Sequence, residues 1–334
     1  MREQNVVVIG GTGFIGGHLL ARLARDGIGT VVPTRHYESA KHLTTLPYLD
    51  LEVADVHDDA TLRRLLRGRD AVINLVGVLH GGQGDPYGPG FRRLHVELPR
   101  RIARACAQMA VPRYLHMSAL GASPTGASMY QRSKADGELA ARSQPDVAAT
   151  VFRPSVVFGP GDRFLTLFAR LQRHLPALPL ACADARFQPV YVEDVVAAFA
   201  AVLRDPHLPH DWPSDRPSDR PTRGATVELA GPTVYTLAEL VRLAGRYAGH
   251  ERRVIPLPGW AARTQARLFE LLPGDPVISR DNLDSMKTDN VLVPHEGVLT
   301  AGALGIKLTA LESVAPHYLA PVDELDALRE RAGR

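Results

Sequence analysis

Tyr130 and Lys134 stand four residues apart in SMYQRSKADGE, so on a helix both side chains leave the same face about one turn apart. A phenol with an ordinary pKa near ~10 is a poor proton carrier at neutrality. An ammonium beside it favours the phenolate and draws that pKa toward the working range. Held next to a substrate oxygen, the pair is an acid/base device; held by nothing, it is an ordinary surface pair. The surrounding elements decide which.

The strongest of these elements opens the chain. VVVIGGTGFIGGHLLARL sets Gly10, Gly13 and Gly16 in a G-x-x-G-x-x-G turn between an apolar run and a helix-periodic one. Side chains at the first two glycines would block a tight turn and a close approach to a pyrophosphate, and the third glycine lets helix and strand pack closely. Backbone amides from Thr12 through Phe14 to Ile15 then point partial positive charge at the phosphates. Strand, turn and helix in register predict a dinucleotide site; a glycine-rich turn without a ligand is the alternative.

The end of the second strand selects the dinucleotide. VVPTRH offers no carboxylate for the ribose hydroxyls, whereas the Arg35 guanidinium matches a 2'-phosphate. NADP(H) is therefore expected, with NAD(H) possible if Arg35 is only a solvated cation. Asp55 and Val56 in VADVHD are placed for the adenine, unless Asp55 caps the next helix. Asn74, Val76 and Gly77 follow the fourth strand along the cofactor edge, and Lys134 can also hydrogen-bond the nicotinamide ribose.

These residues need a scaffold that brings strand ends together. Short β-branched runs (Asn5 to Ile9, Thr30 to Thr34, Leu51 to Ala54, Ala71 to Leu75, Tyr114 to Met117, Thr150 to Phe152) alternate with helical periodicity (Phe14 to Asp26, Ala60 to Leu66, Phe91 to Met109, Tyr130 to Arg142). That alternation predicts an α/β fold with a doubly wound, Rossmann-like parallel sheet, and the unalternating VVVIG and AVINLVG suit strands covered on both faces. Residues 1–160 are expected to form the dinucleotide-binding domain. Residues 161–334 are expected to return to the sheet and add a smaller, mainly helical substrate lobe, with TLAELVRLAGRYAG opening on a capping box. The segment 206–223 repeats PSDR without apolar periodicity and is read as an exposed insertion, with a binding tail the lesser alternative.

Together GGTGFIG, SALGA, the Tyr130/Lys134 spacing, RPSVVFGPGD and QPVYVEDV resemble the extended or atypical branch of the short-chain dehydrogenase/reductase superfamily over nearly the whole chain. Within it NLVGVL, RYLHMSALGA, YQRSKADGE and RPSVVFGPGDRFL are similar to bacterial relatives of the nucleotide-binding accessory subunit of respiratory complex I. The resemblance implies bound NADP(H), Tyr130 as acid/base, Lys134 as its partner, Ser118 as a substrate-oxygen donor and Pro154 as a wall along the nicotinamide. Two departures stand out. His95 occupies the place of the family's proton-relaying Asn, ahead of a Pro99 that kinks or breaks a helix interior, and Ser118 lies outside the serine pair of sugar-nucleotide epimerases. A cap or turn role for the Ser118 hydroxyl is equally open. His80 and His116 are read as structural.

Three functions follow: an oxidoreductase acting on a carbonyl or alcohol, a nucleotide-bound structural or assembly protein, and a nucleotide-sugar epimerase or dehydratase, the last without an obvious diphosphate-binding Arg cluster. Composition narrows the partners. Lys+Arg at 39 against Asp+Glu at 36 in 334 residues leaves a net +3, too little for a phosphate-tracking surface, so nucleic acid is excluded. The two cysteines, Cys106 and Cys182, support neither a disulfide framework nor a metal site. No run approaches the ~20 apolar residues of a membrane span and the N-terminus lacks a signal pattern, so a cytoplasmic location is expected. PGWAARTQARLFELLPG, 258–274, fits a partner-facing or membrane-surface helix, a complex I contact included, but packing within the substrate lobe is preferred. The Gly-rich loop LHGGQGDPYGPGF is either a lid or a flexible insertion.

Overall fold

A computed structural model describes residues 4–204, 224–271, 274 and 276–321. The expected insertion at 206–223 and Leu272 lie outside the described residues. The first half runs β1 (Asn5–Ile9), α1 (Phe14–Arg25), β2 (Gly29–Thr34), a short α2 (Tyr37–Ala40), β3 (Leu49–Val53), α3 (Asp59–Leu66) and β4 (Ala71–Asn74). It continues with a single turn α4 (Pro89–Phe91), α5 (Leu98–Gln108), β5 (Arg113–Met117), α6 (Met129–Ala141) and β6 (Ala148–Pro154). The second half adds β7 (Val157–Phe158), α7 (Phe164–His174), β8 (Ala177–Leu180), β9 (Arg186–Phe187), β10 (Val190–Tyr191), α8 (Val192–Arg204) and β11 (Thr226–Leu229). There follow β12 (Tyr235–Thr236), α9 (Leu237–Tyr247), β13 (Arg253–Pro256), α10 (Gly259–Glu270), α11 (Arg280–Ser285), β14 (Val298–Thr300) and α12 (Leu311–Leu319).

Eight strands form one parallel sheet in the order β14-β11-β6-β5-β4-β1-β2-β3, so the predicted doubly wound fold is present and the second half returns two strands to it. In β1, Val6 and Val8 enter the core on one face while Val7 and Ile9 enter the core on the other. Burial on both faces is why the strand reads as continuously apolar rather than alternating. The helices α7, α9 and α12 gather a separate core, the smaller lobe, and the predicted capping box holds: the Thr236 hydroxyl accepts from the Glu239 amide at 3.2 Å, and the Glu239 carboxylate accepts from the Thr236 amide at 2.7 Å.

Two expectations change. The helix expected over Phe91 to Met109 is not uniform: α4 passes into a π-helical stretch, Arg92–Glu97, before α5. Pro99 lacks an N–H for the carbonyl of His95, and the wider turn relieves the clash that a proline ring makes in a regular helix. The π stretch lies against α6, where a Cβ on Gly137 would stand 2.2 Å from the His95 carbonyl oxygen. Only glycine permits that approach. The second change concerns 258–274, where α10 buries Ala262 and Ala266 against Ala181 and Leu283 but turns Trp260, Leu268 and Leu271 outward. Packing within the lobe accounts for its alanines alone.

Candidate functional site

Strands β2 and β3 lie to one side of β1, and β4, β5 and β6 to the other, so the carboxyl ends of β1 and β4 border the crevice where open α/β sheets hold ligands. The glycine turn fills this position. Gly10 has φ +85°, and a Cβ there would press on the Val76 amide nitrogen at 3.1 Å. A Cβ on Gly16 would stand 2.4 Å from the Gly11 carbonyl oxygen, so α1 packs on the turn only because Gly16 has none. Gly13 differs. It is exposed, its φ of −84° suits any residue, and the Gly10 carbonyl at 3.4 Å is the one atom a Cβ would touch. Nothing among the described residues requires glycine there, whereas a diphosphate pressed on the turn would. Gly13 is also the N-cap of α1 with no side-chain cap, leaving first-turn amides near Thr12, Phe14 and Ile15 for an anion.

Around the adenosine end, Arg35 is exposed and makes no ion pair among the described residues. Burial first, then the charges of Arg93, Arg101 and Arg35 against the opposing pull of Asp55, hold the His57 imidazole below its usual pKa. Asp55 caps no helix: its carboxylate accepts from the His57 amide at 2.9 Å, and the cap of α3 is Asp58, which accepts from the Thr61 amide at 2.7 Å. Val56 and Val76 are half-buried against the core beneath the crevice.

Asn74 ends β4. It is wholly buried, its amide donating to the Tyr114 hydroxyl at 3.2 Å and contacting His116 at 3.3 Å, while its oxygen accepts from the Val76 amide at 3.1 Å. In the chain alone its polar atoms are engaged inside the protein, where they shape the loop toward Gly77. His95 continues that task. The Val78 amide donates to its Nε2 at 3.0 Å, which places the proton on Nδ1 for Ser133 Oγ at 2.9 Å, and Ser133 in turn donates to the Tyr130 carbonyl. Burial, then the Lys134 charge, keep its pKa far below 6.5, so it is a neutral pin between loop and α6 rather than a proton relay.

Helix α6 starts from a capping box of Ser128 and Gln131 and carries Tyr130 and Lys134 into the crevice. Lys134 is 4% exposed; its Nζ donates to the Met117 carbonyl at 3.3 Å and would stand 3.0 Å from a Cβ on Gly77. Burial lowers its pKa to about 8, against a smaller opposing pull from Glu138. The ammonium sits 5.8 Å from the centre of the Tyr130 ring, and desolvation raises the phenol to about 12. The expected drawing-down of the phenol is therefore absent in the chain alone. Among the described residues the Tyr130 hydroxyl has no hydrogen-bond partner.

Ser118 is likewise engaged inside the protein. Its buried hydroxyl donates to Glu138 at 2.5 Å, and the same carboxylate takes two bonds from Arg153, at 2.8 and 2.6 Å, while Arg153 reaches Glu228 at 3.2 Å. In the chain alone the Ser118 proton is committed to this buried carboxylate. Pro154 is buried at the end of β6, its carbonyl accepting from the Leu120 amide at 2.9 Å.

Two residues of the second half complete the site. The Asp281 carboxylate accepts from the amides of Met129 at 2.6 Å and Tyr130 at 3.1 Å, clamping the start of α6. Asn290 accepts from Ser155 Oγ at 2.6 Å and donates to the Leu120 carbonyl at 3.3 Å, tying the Ser155 strand end to the stretch after β5. A cavity of about 530 Å³ opens beside the clamp, lined among others by Leu79, His80, Phe91, Met129, Arg267 and Asp281. The Gly-rich loop is one wall, fastened to α6 by Tyr87 on Asp136 at 2.8 Å and by Arg132 on the Pro86 carbonyl at 3.0 Å.

The profile of the NAD dependent epimerase/dehydratase family matches residues 6–212. The mitochondrial NADH dehydrogenase (ubiquinone) 1 alpha subcomplex subunit 9 of Rattus norvegicus is 30% identical over 315 residues, 91% of this chain and 77% of that protein. Ceramide reductase of Caulobacter vibrioides is 30% identical over 267 residues, covering 79% and 77%. Among solved structures, gox2253 superposes with a TM-score of 0.71 at 17% identity over 99% of both chains. MoeE5 in complex with UDP-glucuronic acid and NAD gives a TM-score of 0.65 at 18% identity, covering 94% of this chain and 97% of that one. With a matched profile over more than half its length, the chain belongs to the NAD dependent epimerase/dehydratase family, as an extended short-chain dehydrogenase/reductase related to the complex I accessory subunit.

Proposed function

We propose that the chain is an NADP(H)-dependent oxidoreductase in which Tyr130 exchanges a proton with a carbonyl or alcohol oxygen. The observation that carries this is a desolvated phenol that has no hydrogen-bond partner among the described residues, one helical turn from a buried ammonium that donates to the Met117 carbonyl at 3.3 Å. The Gly10–Gly16 turn would hold the diphosphate, Gly77 and Lys134 the nicotinamide ribose, and Arg35 the 2'-phosphate. When bound, the nicotinamide supplies or accepts the hydride. Lys134 would stabilise the charge that develops on Tyr130, and Asp281 holds the helix start so that the phenol faces the crevice. The test is consumption of NADPH against a panel of aldehydes and ketones, with mass spectrometry of the nucleotide that co-purifies. Co-purified NAD(H) lacking the extra phosphate would overturn the coenzyme assignment.

Arg35→Ala is expected to weaken NADPH binding about 10- to 100-fold, the worth of a charge-assisted pair, while leaving NADH binding unchanged. Titration calorimetry with both coenzymes checks it; equal losses for both would remove the 2'-phosphate role.

Lys134 predicts a trade of stability for function. At neutral pH its buried ammonium lies below its usual pKa of 10.5, so the unfolded chain binds the proton more tightly and the charge opposes folding. Lys134→Met should stabilise the chain without coenzyme by about 1–3 kcal/mol in denaturant melts at pH 7. In the parent, Lys134 adds a rise in stability with pH from about 8 toward 10.5, and the variant should lack that rise. A destabilised variant would show that the bond to the Met117 carbonyl outweighs the cost of burying the ammonium.

A second reading is a nucleotide-bound assembly protein. The commitment of Ser118 to Glu138 and of His95 to Val78 favours it, as do relatives named as complex I subunits. A large NADPH-induced rise in melting temperature with no substrate in the panel would select it.

A further inference from the structure

Helix α10 is built inside out. Its buried face consists of Ala262 and Ala266, whereas Trp260, Leu268 and Leu271 are 76%, 60% and 81% exposed. At 100° per residue these three, with Thr264 between them, fall on one face, and Arg263 and Arg267 run along its edge. Apolar residues on a helix normally turn to the core; here the helix packs through its methyl groups and presents its bulk to the outside. Val277 and, on β13, Ile255 are also exposed apolar residues, at 49% and 45%.

The composition says what covers it. A Trp and two Leu flanked by arginines is the pattern of a helix lying in a bilayer interface, with the ring at headgroup level and guanidinium groups on lipid phosphates. Arg263 reaches Asp284 at only 3.4 Å, and Arg267 makes no ion pair among the described residues, so positive charge along the edge remains for an anionic surface. Among the described residues no helix is long and apolar enough to cross a membrane, so the contact would be lateral. We propose that α10 docks the protein on an anionic lipid bilayer, with Trp260, Leu268 and Leu271 sunk into the interface. Because Arg267 and Leu271 also line the 530 Å³ cavity, docking sets one wall of that cavity against the lipid. This goes beyond the oxidoreductase reading and does not depend on it.

Flotation of the full chain with phosphatidylcholine vesicles, with and without phosphatidylglycerol, tests the proposal. The chain should rise with the anionic vesicles at low salt and less with the neutral ones. In a Trp212→Phe background, which leaves one tryptophan, Trp260 emission should move to shorter wavelength on the anionic vesicles. The triple variant Trp260→Ser, Leu268→Ser, Leu271→Ser should lower the bound fraction at least about tenfold, given the apolar area removed. The double variant Trp260→Ser, Leu268→Ser touches none of the cavity lining, so it should lose much of the bound fraction while its melting temperature and NADPH response stay at the parent values. Arg263→Gln with Arg267→Gln should remove the preference for anionic lipid. Absence of flotation would overturn the proposal, as would flotation that the triple variant leaves intact. Sedimentation showing a dimer that the triple variant splits, without vesicle binding, would overturn it too, in favour of a contact between copies of the chain.

Discussion

Replacing Gly13 by Asp is expected to abolish the rise in melting temperature that NADPH gives, while the chain without coenzyme melts where the parent does. The two halves of this expectation have separate causes. A Cβ at Gly13 meets only the Gly10 carbonyl, at 3.4 Å, and φ −84° is ordinary for an L residue, so the fold accommodates the side chain. Asp is moreover a better N-cap than Gly by a few tenths of a kcal/mol, and its charge suits the start of α1. The same carboxylate would stand where the diphosphate must lie, excluding it by volume and by like charge. At coenzyme ~100-fold above its dissociation constant the lost stabilisation is about 2.7 kcal/mol. In a chain of this size that is about 5 °C. Gly16→Val is the contrast: with 2.4 Å to the Gly11 carbonyl it should damage the chain with or without coenzyme. Differential scanning fluorimetry separates them, and a Gly13→Asp protein still stabilised by NADPH would show that the turn holds no diphosphate.

The difference between these two glycines illustrates what the sequence carries. A glycine triplet between an apolar strand and an amphipathic helix announces a turn, because both periods and the punctuation are local. The same locality made β1 readable, since a strand buried on both faces is apolar without interruption. Local signals do not say which glycine serves the fold and which the ligand. Nor do they say where a polar side chain will point. Asn74 follows a strand and has the right type for a cofactor edge, yet Tyr114 and His116, about forty positions on, absorb its amide. Ser118 likewise meets Glu138 and, through it, Arg153 and Glu228, three residues that only the assembled sheet and α6 bring together.

Residues of the second half that shape the site had no readable signal. Asp281 lies 151 positions from Tyr130, and in the sequence it is one acidic residue in the first turn of a short helix. Its role arises because the N-terminus of α6 offers two amides that need an acceptor and α11 delivers one. His95 was noticed for what it replaces. The proline four residues later explains how it arrives: the π stretch that accommodates Pro99 sets the His95 carbonyl against Gly137, and the imidazole between Val78 and Ser133. The helix anomaly and the site are thus one feature.

Tyr130→Phe is expected to lower turnover of any carbonyl substrate by about 10²–10⁴-fold, the usual worth of a positioned general acid, with NADPH binding and melting temperature at parent values. The substitution is clean because of what the phenol does not do in the resting chain. The ring keeps its edge contacts, 6.3 Å to Phe91 and 5.7 Å to His95, and the Lys134 ammonium still sits over it. Only the hydroxyl goes, and among the described residues that hydroxyl bonds to nothing, so no buried partner is orphaned. At a pKa near 12 it stays protonated through neutral pH, which suits it to donate to a substrate oxygen as hydride arrives. In the oxidative direction the same pKa is a handicap, since the phenolate must form. The positive charge of a bound nicotinamide and the Lys134 ammonium are the sources of stabilisation for it. The parent's oxidation rate should therefore rise with pH more steeply than its reduction rate, and Tyr130→Phe should flatten that rise. Turnover undiminished in Tyr130→Phe would remove the phenol from the chemistry and leave Lys134 as the group to test next.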